Sequence, residues 1–333
     1  MLEKIEQVFV HYSQFPDRVY QDYLDSFSFK QINNKFHYAS VKQSQKWLKI
    51  HEEFSPARQD ESCIQAYSLC FDKTAEILAK DSSSLNLIGL GCGGGEKDKL
   101  LLSHISHIFS TEKPLTYYPV DVSLSLAIIS AQKVRGSFAN VAVAPFVCDL
   151  LQSNDLISLI NARGTSQKNI ITFFGMIPNF YPDEILPILT NFLERGDLLL
   201  FSANLAPGFD YLQGIQTVLP QYDNELTKEW LITVLLDAGV EREDGNIEFE
   251  IEADSHNPEF QRIAAYFSLK RDVNFKLEER LIDWKKGERI RLFFSYRYTT
   301  PKIQAILKSY GIDILGYWEA ASQEEGVYLC QKV

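Results

Sequence analysis

Sulfur is scarce in this 333-residue sequence: there are two methionines and five cysteines, Cys63, Cys70, Cys92, Cys148 and Cys330. An odd cysteine count without a CxxC pair points away from a disulfide framework and from a zinc site, and toward buried thiols. His104 and His107 stand three apart on a helical stretch, but no third ligand accompanies them, so they read as solvent-facing helix residues and no metal is assigned. No window approaches the roughly 18 apolar residues of a membrane span. The start, Met1-Leu2-Glu3-Lys4-Ile5-Glu6, carries charge where a signal peptide would be apolar, so a cytoplasmic location is expected. Basic charge is also short, with 33 Lys and Arg against 44 Asp and Glu and a formal net charge of -11. That balance disfavours a nucleic-acid backbone as partner and favours a small molecule. Repeats and low-complexity tracts are absent, which excludes solenoids. Composition leaves the oligomeric state open.

What is present is an ordinary globular composition, 45% apolar and 23% charged, with 22 Phe and 16 Tyr. The length suits one nucleotide-sized core plus a smaller or inserted domain. Five short apolar runs, Leu85–Leu90, Leu115–Val120, Val141–Val147, Asn169–Phe174 and Asp197–Ser202, read as strands. Helical spacing occupies Glu96–His107, Ser123–Arg135, Leu150–Ala162 and Pro182–Arg195, with Ser123 and Asp183 as a cap or first-turn acid. This alternation predicts a doubly wound α/β core with a parallel sheet.

After Asn204 the rhythm stops. Asp223–Ala238 reads as an amphipathic helix and Ile247–Phe294 as strand-like, an inserted α+β unit. A helix over Pro301–Tyr310 follows. Ile312–Trp318 and Gly326–Gln331 then form an antiparallel hairpin about the polar turn Gln323-Glu324-Glu325. The expected division is a core of 61–204 and 298–333, and a lid or substrate-binding unit of 1–60 and 205–297.

Gly89-Leu90-Gly91-Cys92-Gly93-Gly94-Gly95 follows a strand and opens a helix, where glycines permit a tight turn and close approach of a ligand. Gly89, Gly91 and Gly94 satisfy GxGxxG and suit a dinucleotide; Gly91, Gly93 and Gly95 suit the GxGxG loop of methyltransferases. Asp121 ends the second strand, in position to accept both hydroxyls of a ribose, although it is also placed to cap the following helix. Asp149-Leu150 ends the third strand, where the acid could meet an adenine amine and the leucine its ring; a plain N-cap is the competing role. The fourth strand runs into Phe174-Gly175-Met176-Ile177-Pro178-Asn179-Phe180, a loop with one amide that must find hydrogen-bond partners.

The order and spacing of Leu90-Gly91-Cys92-Gly93-Gly94-Gly95-Glu96-Lys97, Tyr118-Pro119-Val120-Asp121-Val122-Ser123, Gly175-Met176-Ile177-Pro178-Asn179-Phe180, Gly196-Asp197-Leu198-Leu199-Leu200 and Gln221-Tyr222-Asp223 resemble the histidine-specific Nα-methyltransferase family. That family also includes fungal N-methyltransferases. The resemblance implies a Rossmann-like class I methyltransferase core, S-adenosylmethionine as cofactor, and a small-molecule amine or amino acid as substrate. It makes Gly91, Lys97, Asp121 and Asp149 donor residues, and Gly89, Gly93, Leu150, Phe174 and Gly175 beside them complete the expected donor site. Asn179 and Tyr222 become the residues that hold the substrate's amino-acid head group, with Phe54, Phe180, Phe293 and Ser295 around them. Glu53-Phe54-Ser55-Pro56-Ala57-Arg58 is similar to the family's Tyr-Pro-Thr-Arg stretch near the active site.

Two departures stand out. The family has an acid where Gly89 stands, and it reads imidazole with a Glu-x-Ser stretch that is Phe293-Phe294-Ser295 here. A phenyl ring accepts no such hydrogen bond, so an apolar or aromatic amino acid, or another primary amine, is expected in place of histidine. A nicotinamide-dependent oxidoreductase and a donor-binding protein without catalysis are the alternative readings.

Overall fold

The computed structural model describes residues 5–55, 59–80, 83–110, 112–163, 168–255 and 257–333. The described chain forms two units. One comprises the chain up to Gln14, Ser55–Leu205 and Thr299–Val333; the other comprises Phe15–Phe54 and Ala206–Tyr298.

In chain order the first unit begins with strand β1 (Phe9–Val10). The second unit then contributes helices α1 (Pro16–Ser28) and α2 (Val41–Phe54). The first unit resumes with α3 (Glu61–Leu78), β2 (Leu85–Leu90), α4 (Glu96–Ile105), β3 (Leu115–Asp121) and α5 (Leu124–Arg135). It continues with β4 (Val141–Val143), β5 (Phe146–Val147), α6 (Leu156–Asn161), β6 (Lys168–Phe174), α7 (Pro182–Phe192) and β7 (Leu198–Asn204). The second unit adds α8 (Tyr211–Val218), α9 (Glu225–Asp237), β8 (Gly245–Ala253), β9 (Gln261–Leu269), β10 (Val273–Leu277), β11 (Arg280–Trp284) and β12 (Arg289–Arg297). The chain closes in the first unit with α10 (Thr300–Ser309), β13 (Ile312–Glu319) and β14 (Glu325–Lys332).

Strand β2 is buried at all six positions. A strand apolar on both faces is stable only in the middle of a covered sheet. Its neighbours are β3 on one side and β6 on the other, both parallel. The full order is β1-β5-β3-β2-β6-β7-β14-β13, with β4 beside β3. Only the β7–β14 and β14–β13 pairs are antiparallel. The chain builds outward from β2 on one side and returns to build outward on the other. The carboxyl ends of β2, β3 and β6 therefore flank the switch point at which such folds bind ligands.

Local chemistry moved several boundaries. The run expected as one strand over Val141–Val147 is two, because Pro145 lacks a ladder N–H; the Ala144 N–H just before it makes the last bond of the β3–β4 ladder, to the Tyr117 carbonyl at 3.0 Å. The helix expected over Leu150–Ala162 is a single 3-10 turn, Leu150–Gln152, and then α6. Between them the Ser153 hydroxyl donates to the Asp149 carbonyl at 2.8 Å, a local bond that competes with the helical ladder. Residues 5–14 fall in the first unit, not with 15–54, because β1 pairs in parallel with β5. Glu325, expected in a polar turn, is the buried first residue of β14.

In the second unit, β12-β9-β8 form an antiparallel sheet and β10-β11 a hairpin. Its core includes Phe27 stacked on Trp284 at 5.9 Å between centroids, and Trp230. The Trp230 indole donates to the His37 carbonyl at 2.7 Å, and the His37 ring contacts the Leu292 carbonyl at 2.6 Å. Burial lowers His37 to about 4, against the backbone hydrogen bond, so the ring is neutral near neutral pH. Among the described residues, no helix is long and apolar enough to cross a membrane.

Candidate active site

The glycine loop joins the carboxyl end of β2 to the amino end of α4. Gly91 has φ of +60° and Gly95 φ of +73°, a left-handed conformation in which side chains are strained. A Cβ on Gly91 would meet the Met176 side chain at 2.7 Å, and one on Gly95 would come within 3.0 Å of the Ser130 backbone. Both φ and packing thus require glycine at these two positions, and the loop runs there as bare backbone. Asp121, 6% exposed, holds it in shape. Its carboxylate accepts the Gly93 N–H at 3.0 Å and the Ser123 N–H at 2.9 Å. Burial raises Asp121 to about 6 against those backbone bonds. Helix α5 is capped by the Ser123 hydroxyl and not by Asp121. The cradle and a carboxylate beside it, with lone pairs left for hydroxyl donors, fit the adenosine part of S-adenosylmethionine.

Asp149 caps the 3-10 turn through the Leu151 N–H at 3.1 Å, and Leu150 beside it is buried. Phe174 packs edge-on against Tyr67 at 5.4 Å between centroids. Gly175, φ +71°, donates its N–H to the Ser202 hydroxyl at 2.9 Å. Asn179 ends a 3-10 turn in the same loop and is half-buried, as is Phe180, whose ring lies 5.8 Å from that of Phe173.

Gly89 sits within β2, buried. A Cβ there would collide with the Asp98 carboxylate. Asp98, on α4, accepts from the Tyr117 and Thr172 hydroxyls, each at 2.6 Å. Burial pushes its pKa up while those two hydroxyls pull it down. The acid absent from the strand thus has a steric counterpart on the following helix. Lys97, one residue earlier, pairs with Glu325 at 3.2 Å and lies over the Tyr67 ring at 4.7 Å.

In the second unit, Tyr222 donates to the Ser295 hydroxyl at 3.1 Å and accepts from the Arg297 guanidinium at 2.9 Å. Phe293, Ser295 and Arg297 alternate along β12 and share one face. The Phe293 ring is buried and packs edge-on against Trp230 at 5.6 Å. Phe54, the last residue of α2, is 47% exposed. Pro56, Ala57 and Arg58, the rest of that expected site segment, lie outside the described residues.

Sequence reasoning missed Asp98, Glu325 and Arg297. The period of two that relates Phe293 to Ser295 would have reached Arg297. Asp98 and Glu325 had no local signal, since one follows a charged helix start and the other closes a run of polar residues. Cys63, Cys70, Cys148 and Cys330 are buried thiols, and Cys92 is half-buried.

A parallel sheet with a switch point, a terminal antiparallel hairpin and a bare glycine loop braced by Asp121 define an S-adenosylmethionine-dependent methyltransferase. The chain belongs to the family described as histidine-specific, SAM-dependent methyltransferases, whose model matches residues 22–332. That membership chooses between the two ligands the glycine spacing alone leaves open. The chain is 22% identical to the N-methyltransferase imqF of Aspergillus flavus over 83% of its length and 73% of that protein. It is 22% identical to the N-methyltransferase fsqC of Aspergillus fumigatus over 78% and 70%. Among solved structures, magnesium protoporphyrin IX methyltransferase from Synechocystis with bound SAH superposes at a TM-score of 0.43 and 11% identity, covering 90% of this chain and 98% of that one.

Proposed function

We propose that this chain methylates the amine of an amino acid or related small molecule with an apolar or aromatic side chain, and that histidine is not its substrate. The observation that carries the reading is the pairing on β12: the Ser295 hydroxyl and Arg297 guanidinium meet Tyr222, while Phe293 on the same face offers a phenyl ring where an imidazole would need an acceptor. The printed names of both fungal relatives, N-methyltransferase, support an amine as acceptor. The first unit is assigned to the donor and the second to the substrate. The surplus of acidic side chains, 44 against 33 basic, supports a small partner over a nucleic acid, and the proposed location is the cytoplasm.

S-adenosylmethionine supplies the sulfonium methyl for in-line displacement by the amine lone pair. The chain's own task is alignment, which makes the displacement effectively unimolecular. In the donor site, Asp121 would hold the ribose hydroxyls, Asp149 and Leu150 the adenine, and the glycine loop with Gly91 and Gly93 would leave room for the donor beside the backbone. We assign Asn179 and Phe180 of the first unit to the substrate's amine, where apolar surroundings would disfavour the ammonium form, and Phe54, Tyr222 and Phe293 of the second unit to the rest of the substrate.

A turnover screen of amino acids and amines with S-adenosylmethionine, with histidine included, tests the substrate class. Turnover of aromatic or aliphatic amino acids without histidine is the expected result, and histidine as the preferred substrate would overturn it. Replacing Asn179 by Ala should lower kcat/KM about a hundredfold and leave the affinity for S-adenosylhomocysteine within about twofold. Unchanged turnover removes Asn179 from the site.

A further inference from the structure

We propose that Glu325 takes the ammonium of the methyl donor's amino-acid end, beside Lys97, which the family resemblance already gives to the donor and which is placed to take the carboxylate. The proposal rests on the glycine loop and Asp121 being the donor site. Three elements of the first unit converge on Glu325 of β14. Tyr67 donates to it from α3, as does the Cys63 thiol at 3.5 Å; Lys97 reaches it from α4 at 3.2 Å; and the Ser202 hydroxyl hydrogen-bonds it from β7. Glu325 pairs in register with Asn204, the last residue of β7, so the cluster stands at the carboxyl edge of the sheet. Ser202 also takes the Gly175 N–H, which ties the cluster to the end of β6.

Burial pushes the Glu325 carboxyl up, but Lys97 and the Tyr67 and Ser202 hydroxyls outweigh it and hold the group below the usual glutamate value, so it is ionised. The pair is therefore a fixed minus charge beside a fixed plus charge. As a tie between the terminal hairpin and α4 it would be a poor device, because apolar residues serve as well without the desolvation cost. An α-amino acid end, with ammonium and carboxylate on one carbon, is its complement, and S-adenosylmethionine carries one such group.

Access is also provided. The Lys97 side chain is 17% exposed, and a Cβ on Gly175 would come within 3.8 Å of its ammonium. Glycine there, held at φ +71°, leaves the backbone beside the ammonium bare. Asp121 and Glu325 lie on opposite sides of β2 in the sheet order, so adenosine at one and the amino acid at the other would lay the donor across the glycine loop.

The test compares two ligands by calorimetric titration: S-adenosylhomocysteine, and 5′-methylthioadenosine, which keeps the nucleoside and thioether and lacks the amino-acid end. In Glu325→Gln, S-adenosylhomocysteine should weaken about tenfold or more, the loss of one charge-assisted hydrogen bond, while 5′-methylthioadenosine stays within about twofold. A deaminated S-adenosylhomocysteine should bind the wild type and the variant alike. Equal weakening of both ligands, or of neither, overturns the proposal, since a merely structural role does not distinguish them. Where Glu325→Gln does not fold, Glu325→Asp keeps the charge and shortens its reach; it should show the same selectivity in smaller measure, and equal losses there overturn the proposal too. Wild-type protein that binds neither ligand overturns the donor-site reading itself, whereas tight binding of both without selective loss overturns only the role of the pair.

Discussion

The two units put their chemistry in different parts of the chain. In the first, the proposed donor site is shaped by backbone around a few carboxylates: glycines at positive φ, N–H groups turned onto Asp121, and strand ends arranged about one switch point. In the second, the proposed substrate site consists of side chains, with Tyr222, Ser295 and Arg297 joined by hydrogen bonds and Phe293 packed against Trp230. Backbone recognition constrains sequence tightly, because only glycine fits, and so it leaves a motif. Side-chain recognition needs only a position on a strand face, and a single exchange changes the ligand it reads.

The sharpest way to break this contrast is at Asp121. Replacing it by Asn should weaken S-adenosylhomocysteine about a hundredfold, the loss of two charge-assisted hydrogen bonds to ribose, with the substrate's affinity little changed. The wild-type affinity should also fall as pH drops through about 6, where Asp121 takes up a proton, and the Asn variant should lack that dependence. The stability of the ligand-free protein moves the other way: a carboxyl raised above its unfolded value contributes stability at low pH that is lost as pH rises through about 6. Titrations at pH 5 and pH 7.5 check both signs, and a pH-independent wild type would remove Asp121 from the donor site.

A somewhat smaller effect is expected from restoring the acid at position 89. Gly89→Asp would force a second carboxylate into the space held by Asp98, and should cost about 2 kcal/mol of stability by overpacking and like charge. Adding Asp98→Ala should recover most of it. Urea midpoints of the single and double variants decide the matter, and additive losses would mean that the two positions do not share one space. The smallest effect belongs to the second unit. Ser295→Ala removes one hydrogen bond to Tyr222, so kcat/KM for the accepted amine should drop by about 1 kcal/mol of transition-state stabilisation, with donor affinity unmoved. A change in donor affinity instead would erase the division between the two units.

The doubly wound core was legible because β2 and β3 are near-continuous apolar runs and each is followed by a helical repeat, the pattern of strands covered on both faces. Asp121 and the glycine loop were legible for the same reason: they follow strands at a fixed offset. Tyr222 and Ser295 were named separately, and the fold joins them across 73 positions of sequence. The failures were also physical. Pro145 broke a strand by lacking an N–H and Ser153 a helix through one side-chain hydrogen bond, and periodicity registers neither.

By itself, then, the sequence determined the class of fold and the glycine-rich loop at the end of β2, since each follows from local spacing. Only the tertiary structure decided that Asp98 fills the space beside Gly89 and that Glu325 is a buried, ionised partner of Lys97. Those contacts join residues 9 and 228 positions apart. Their energetics depend on burial, and burial is a property of the packed strands and helices around them.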